Sequence, residues 1–179
     1  NVWFFNMDEY LDEKDVPIPV THPLSFEGFM YREFYDRMDE ELNIPMNQRI
    51  FPKPGREEEI WELIQKAGGV DVAYGGIGIN GHIAFNEPPE EEVPVQAFAE
   101  YKTRILSLTR ETRTVNSITA ANGYIDYIPP RCITIGMKEI LSAKEIRFYL
   151  NRTWQKGIVR KILHGEVTSR VPASLFQNH

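Results

Sequence analysis

The chain has one cysteine, Cys132, in 179 residues, so no internal disulfide can staple it, which suits a reducing compartment. Cys132 sits in the run Cys132-Ile133-Thr134-Ile135 and reads as a small buried strand residue. Long hydrophobic runs are missing as well. No stretch of ~18 apolar residues exists and no charged-then-apolar leader opens the chain, so neither a membrane span nor a signal peptide is expected, and the reading is cytoplasmic. There is no excess of positive charge: 20 Lys and Arg face 26 Asp and Glu, a formal net charge of −6. Phosphate backbones attract basic faces, so nucleic acid is not an expected partner. Histidine is scarce and scattered. His22, His82, His164 and His179 stand far apart, and His82 has no His or Cys at i+3 or i+4, so no metal site is expected.

What is present suits one soluble domain over residues 1–179: 42% hydrophobic, 12% aromatic and 26% charged residues, without repeats or a linker. Short apolar runs alternate with amphipathic stretches. Strands are expected at Val2–Phe5, Val70–Tyr74, Arg104–Leu108, Arg131–Ile135 and Ile146–Leu150. Ile60, Leu63, Ile64 and Ala67 recur at helical spacing behind the acidic turn Glu57-Glu58-Glu59, with Gly68 as the stop. Trp154–His164, capped by Thr153, and Ser25–Met38 read as further helices. Strands alternating with helices imply an α/β fold, a Rossmann-like, mainly parallel sheet with helices on both faces. In such sheets ligands bind beyond the carboxyl ends of the strands.

Two strand ends carry ionisable groups there. Asp8 follows the first strand, where burial would raise its pKa and make it a better base. Past the second strand lies Gly75-Gly76-Ile77-Gly78-Ile79-Asn80-Gly81-His82, running on to Asn86-Glu87-Pro88. Gly76, Gly78 and Gly81 match the dinucleotide fingerprint, but that motif must open a helix and the prolines at 88 and 89 forbid one. No nicotinamide or flavin cofactor is therefore expected. The glycines read as backbone kept bare for close approach of a ligand. His82, in this turn and five residues before Glu87, can take and give a proton near neutral pH. Glu9, Asp12, Glu13, Asp15 and the run Glu90-Glu91-Glu92 read as solvated.

Phe5-Asn6-Met7-Asp8-Glu9-Tyr10, His22-Pro23 with Ser25 and Phe29-Met30, and above all Gly81-His82-Ile83-Ala84-Phe85-Asn86-Glu87-Pro88 resemble the glucosamine-6-phosphate deaminases. Weaker echoes occur at Thr109, Thr112-Arg113, Asn116-Ser117, Thr134-Ile135-Gly136 and Gln155-Lys156, so the likeness runs nearly end to end. The resemblance implies that Asp8 carries a proton between C1 and C2 of the opened sugar. It implies that His82 opens the ring, assisted by Glu87 and the residue at 80, and that Lys156 grips the phosphate.

Three departures stand out. The family's aspartate two residues before the histidine is Asn80 here, an amide that cannot stabilise imidazolium by charge and that could favour the wrong tautomer; in serine-protease triads the analogous swap costs ~10⁴-fold. The arginine that follows the family's Asn-Ser pair is Ile118, with Arg152 as a candidate replacement. The family's Ser/Gly-rich phosphate loop has no counterpart, which leads us to expect a longer protein. The expected function is an aldose–ketose isomerase and deaminase of an amino-sugar phosphate, without metal or cofactor. Isomerisation of another sugar phosphate without deamination, a non-catalytic sugar-phosphate sensor, and assembly into a homo-oligomer are left open.

Overall fold

Helix α2 (Glu57–Ala67) shows how local signals become architecture in the computed structural model, which describes residues 2–179. Its acidic first turn faces the positive end of the helix dipole. Gly68 closes it in the left-handed region (φ 92°), and the Gly68 and Gly69 amides return to Gln65 and Ile64. The apolar stripe of α2 delivers Ile60 and Ile64 into the main core, with Ile77, Ile83, Ile135, Ile140, Ile158 and Ile162.

The remaining elements are β1 (Phe4–Phe5), β2 (Asp8–Leu11), α1 (Phe26–Glu33), β3 (Arg49–Ile50), β4 (Val72–Gly75), α3 (Val95–Ala99), β5 (Arg104–Ser107), α4 (Arg110–Ala120), β6 (Arg131–Thr134), α5 (Met137–Leu141), β7 (Glu145–Phe148) and α6 (Lys156–His164). The α/β, Rossmann-like class stands. Each expected strand is present, with its ends moved by one or two residues. Strand β1 pairs with β3 and β4 with β7, both in parallel. A three-stranded antiparallel sheet in the order β2-β6-β5 was not foreseen. It forms because Asp8–Leu11, just past the end of the first expected strand, is itself a strand that pairs with β6.

Two helix expectations need correction. Helix α1 ends at Glu33 and a 3-10 turn covers Tyr35–Arg37, so Ser25–Met38 is not one continuous helix. Helix α6 starts at Lys156, after a 3-10 turn over Thr153–Gln155, so Thr153 lies inside that turn instead of capping the helix. Gln155 fixes the entrance: its amide oxygen accepts from the Arg152 backbone (2.9 Å) while its NH₂ donates to the Ile77 carbonyl (3.0 Å). That pair ties the start of α6 to the loop after β4.

Glu9 also departs from expectation. It is only 3% exposed, although the sequence suggested a solvated side chain. Its carboxylate accepts from the backbone of Phe26 (3.0 Å) and Glu27 (2.9 Å) in the first turn of α1, from Tyr10 N–H (2.8 Å), and from the Ser25 hydroxyl (2.8 Å). Unsatisfied amides at a helix start attract an acceptor, and here a neighbouring strand provides it. Asp15 is likewise drawn into an ion pair with Arg131. Cys132 is buried, as read from the sequence.

Candidate active site

The loop between β4 and Glu87 folds as a closed turn with no helix. Gly78 N–H donates to the His82 carbonyl (3.0 Å), Gly81 N–H to the Gly78 carbonyl (3.0 Å), and Ala173 N–H to the Gly81 carbonyl (2.8 Å). Gly81 adopts φ +89°, and a Cβ there would lie 2.8 Å from Val171. Gly78 is required for a different reason: its own φ is ordinary, but a Cβ would fall 2.0–2.3 Å from three ring atoms of His82. Gly76 is exposed and a Cβ there would meet only the Tyr149 carbonyl at 3.8 Å, so it has no such role.

Asn86, fully buried, anchors the far end of the loop. Its NH₂ donates to the Ile83 (3.0 Å) and Ile135 (2.9 Å) carbonyls and its oxygen accepts from Arg104 (2.7 Å). This clamp between β5 and β6 was not singled out from the sequence.

Asn80, His82 and Glu87 come together as expected. His82 Nδ1 lies 2.7 Å from Asn80 Oδ1, 3.2 Å from Thr112 Oγ1 and 3.4 Å from Glu87 Oε2. Asn80 donates through Nδ2 to Glu87 Oε2 (2.7 Å). Burial works to raise the pKa of Glu87, but hydrogen bonds and charge from His82, with Thr112 and Asn80, outweigh it and hold the carboxyl below its usual range.

His82 opens onto a cleft of about 210 Å³ lined by Gly78, Ile79, Arg152, Trp154 and one face of α4 (Thr112, Val115, Asn116, Thr119). That is smaller than the ~300–1,000 Å³ pockets of drug-sized ligands, as suits a small metabolite. The sequence reading named Thr112 and Asn116 only as family echoes and did not foresee helix α4 or its place along the cleft. Thr109 caps α4 by accepting from Thr112 N–H (3.3 Å), a readable signal, but the helix has no apolar stripe to reveal it. Ile118, in contrast, is 68% exposed and stands outside the cleft lining. Lys156 is exposed at the start of α6 and also outside that lining, whereas Arg152 is part of it.

Asp8 is not among the cleft-lining residues. It lies on β2 opposite Thr134 of β6, and the Thr134 hydroxyl accepts from Phe85 N–H (3.1 Å), midway between His82 and Glu87. Burial, reinforced by the charge of Glu9, raises its pKa from 3.8 to about 7. After burial itself, the charges of Asp8 and Glu87 are the largest influences that push the Cys132 thiol upward. Among the described residues no group of three or more His, Cys, Asp or Glu is arranged to hold a metal.

A hydrogen-bonded imidazole, carboxylate and amide beside a small cleft can take up and give back protons on this α/β scaffold. No protein-family model matches the chain. Curated proteins named glucosamine-6-phosphate deaminase do. That of Shouchella clausii (strain KSM-K16) is 32% identical over 185 residues, covering 100% of this chain and 68% of that protein. That of Thermoanaerobacter sp. (strain X514) is 32% identical over 183 residues, covering 100% and 66%. That of Porphyromonas gingivalis (strain ATCC BAA-308 / W83) is 33% identical over 180 residues, covering 98% and 62%. Among solved structures, a monomeric glucosamine-6-phosphate deaminase described as a missing link of the NagB superfamily superposes with a TM-score of 0.81 at 26% identity, over 100% of this chain and 69% of that one. A 6-phosphogluconolactonase from Thermotoga maritima, at TM-score 0.64 and 16% identity over 97% of this chain and 66% of that one, shares the fold.

The chain belongs to the glucosamine-6-phosphate deaminase family. It spans slightly less than two thirds of the length of the Thermoanaerobacter and Porphyromonas relatives.

Proposed function

We propose that the chain carries the acid–base centre of an aldose–ketose isomerase and deaminase that converts an amino-sugar phosphate such as glucosamine 6-phosphate into a ketose phosphate and ammonia, with no metal ion and no cofactor. The observation that carries this reading is the Asn80–His82–Glu87 set bonded together at the cleft, in a member of this family. Its place is the cytoplasm, its partner the sugar phosphate; no helix among the described residues is long and apolar enough to cross a membrane.

In this reading His82 takes the proton of the anomeric hydroxyl and returns one to the ring oxygen, which opens the ring. Glu87 balances the imidazolium formed on the way. Asp8 then removes the C2 proton and delivers it to C1. As the C2 proton moves to C1, O1 takes the proton that the C2 ammonium group gives up, so the C1 aldehyde becomes a hydroxymethyl group and C2 an iminium, which water converts to the ketone with loss of ammonia. A base with a pKa of about 7 suits that step, since catalysis is best served by a pKa close to the working pH. Arg152, in the cleft lining, holds the phosphate, and Lys156 one turn away adds positive charge.

The test is Asp8→Asn: exchange of the C1/C2 proton with solvent and ammonia release from glucosamine 6-phosphate should both fall by several orders of magnitude. Substantial exchange in the variant removes Asp8 from its role. The exposed Ile118, where the family carries a phosphate-contacting arginine, favours a second reading in which another sugar phosphate is isomerised without deamination. Ketose formed from a neutral sugar phosphate, with no activity on the amino sugar, would select it.

A further inference from the structure

Asn80 looks like a defect in a proton-transfer centre, because an amide has no charge with which to steer an imidazole. Its two ends, however, do not have equal choices. On one side lies Glu87 Oε2, at 2.7 Å from Nδ2. A carboxylate only accepts, so the amide must present its NH₂ there. On the other side lies the backbone N–H of His82, at 3.2 Å from Oδ1, and a backbone N–H only donates. The reversed amide would set oxygen against carboxylate and NH₂ against N–H. Against the pull of burial, the hydrogen bonds and charge around Glu87 hold it below the usual carboxylate range, so it is ionised at neutral pH and the constraint persists under working conditions.

With the amide fixed, its oxygen faces His82 Nδ1 at 2.7 Å. Glu87 Oε2 at 3.4 Å and Thr112 Oγ1 at 3.2 Å are the other neighbours of that nitrogen, and each can accept. A lone pair on Nδ1 would confront two oxygen atoms that cannot donate; a proton there satisfies them.

The geometry points to Glu87 as a positioning residue that acts through Asn80: it locks the amide so that neutral His82 carries its proton on Nδ1 and keeps the lone pair on Nε2. Asn80 then supplies the orientation that a carboxylate would give, by a relay from Glu87, and without the added negative charge. Thr109 supports the relay, its hydroxyl lying 3.4 Å from Asn80 Nδ2 and its N–H 3.4 Å from Glu87 Oε1. The catalytic meaning of this tautomer rests on the function proposed above; the tautomer itself does not.

The experiment is nitrogen NMR of the imidazole in protein labelled with ¹⁵N-histidine, at a pH where His82 is neutral, on the unsubstituted chain and on three variants: Glu87→Leu, Asn80→Asp, and the two together. The unsubstituted protein and Asn80→Asp should show the Nδ1–H form. Glu87→Leu removes the acceptor with a side chain of similar size and should shift a measurable fraction to Nε2–H. The double variant should return to Nδ1–H, because a carboxylate at position 80 accepts without instruction from residue 87. A merely structural role for Glu87 would not produce that rescue. An Nε2–H signal in the unsubstituted protein overturns the proposal, as does a Glu87→Leu spectrum unchanged from it. Turnover of glucosamine 6-phosphate is measured in parallel: a chain with the Nδ1–H tautomer and no turnover refutes the functional reading and leaves the relay standing.

Discussion

Replacing Asp8 by Asn should make the protein more stable at pH 8, and the size of the gain can be worked out. The carboxyl is raised from 3.8 to about 7, chiefly by burial and secondarily by Glu9. Ionisation is therefore disfavoured in the folded state, which binds more protons than the unfolded chain between those two values. The contribution of a neutral Asp8 to stability is complete below about pH 4 and is lost as pH rises toward 7. A shift of about 3 units at ~1.4 kcal/mol each sets an upper bound of about 4 kcal/mol, and partial solvation of the group brings the expectation to about 2–4 kcal/mol. The variant escapes this cost because an amide does not titrate. In a domain of this size each kcal/mol moves the melting temperature by ~2–4 °C, so Asp8→Asn should melt roughly 5–15 °C above the parent at pH 8 and close to it at pH 4. Thermal unfolding of both proteins at each pH measures the difference, and comparison at equal pH cancels the other titrating groups. On the acid side, kcat/KM of the parent should rise with pH through about 7 as Asp8 becomes a base. A variant that melts below its parent at pH 8, or an offset that stays constant with pH, would refute the claim that burial governs this carboxyl.

Three other substitutions test the surrounding structure. Gly78→Ala places a Cβ 2.0–2.3 Å from the His82 ring, so the ring must move by over an ångström; turnover should fall ~10²-fold while circular dichroism stays native, and an unimpaired enzyme would show that the ring position is not critical. Glu9→Gln puts an NH₂ among four donors, and should cost about 1–3 kcal/mol by the loss of satisfied hydrogen bonds, read as a lower melting temperature. Arg152→Ala should raise KM for the phosphorylated sugar ~10–100-fold with little change in kcat, from the ~1.5–3 kcal/mol of a charge-assisted contact; an unchanged KM would move the phosphate elsewhere.

Asp8 and Glu9 also show where sequence reading succeeds and where it stops. They are adjacent carboxylates on one strand, and alternation sends them to opposite faces. The apolar run before Asp8 pointed to an acid withdrawn from water, and the structure has Asp8 half-buried with its pKa raised. Nothing local to Glu9 announces that α1, whose first residue is 17 positions further on, brings its unpaired amides to that side chain. Helix α2 was legible because its stripe, acidic turn and glycine stop lie within one stretch. Helix α4 was not, since it lies over the cleft and contributes Thr112 and Ser117, not an apolar face, to the interior. The antiparallel β2-β6-β5 sheet depends on β2 pairing with β6 more than 100 residues further on, Tyr10 opposite Cys132. Alternation in four-residue strands carries too little information to predict that.

The site follows the same division. The His82 loop could be read because its glycines, prolines and acid–base residues are consecutive, and the structure gives each a local reason: steric room at 78, left-handed backbone at 81, a clamp at Asn86. What the residues could not settle was the effect of Asn at position 80, since an amide is ambiguous until its neighbours are placed. Judged alone, it favours a damaged enzyme. Set between an ionised acceptor and a fixed donor, it has one orientation, and the departure from the family pattern becomes compatible with the same tautomer. The substitution should then be felt in charge and not in geometry: less stabilisation of imidazolium, with the proton still on Nδ1. In the proposed mechanism that cost falls on the ring-opening step alone, because the proton transfer assigned there to Asp8 makes no demand on residue 80.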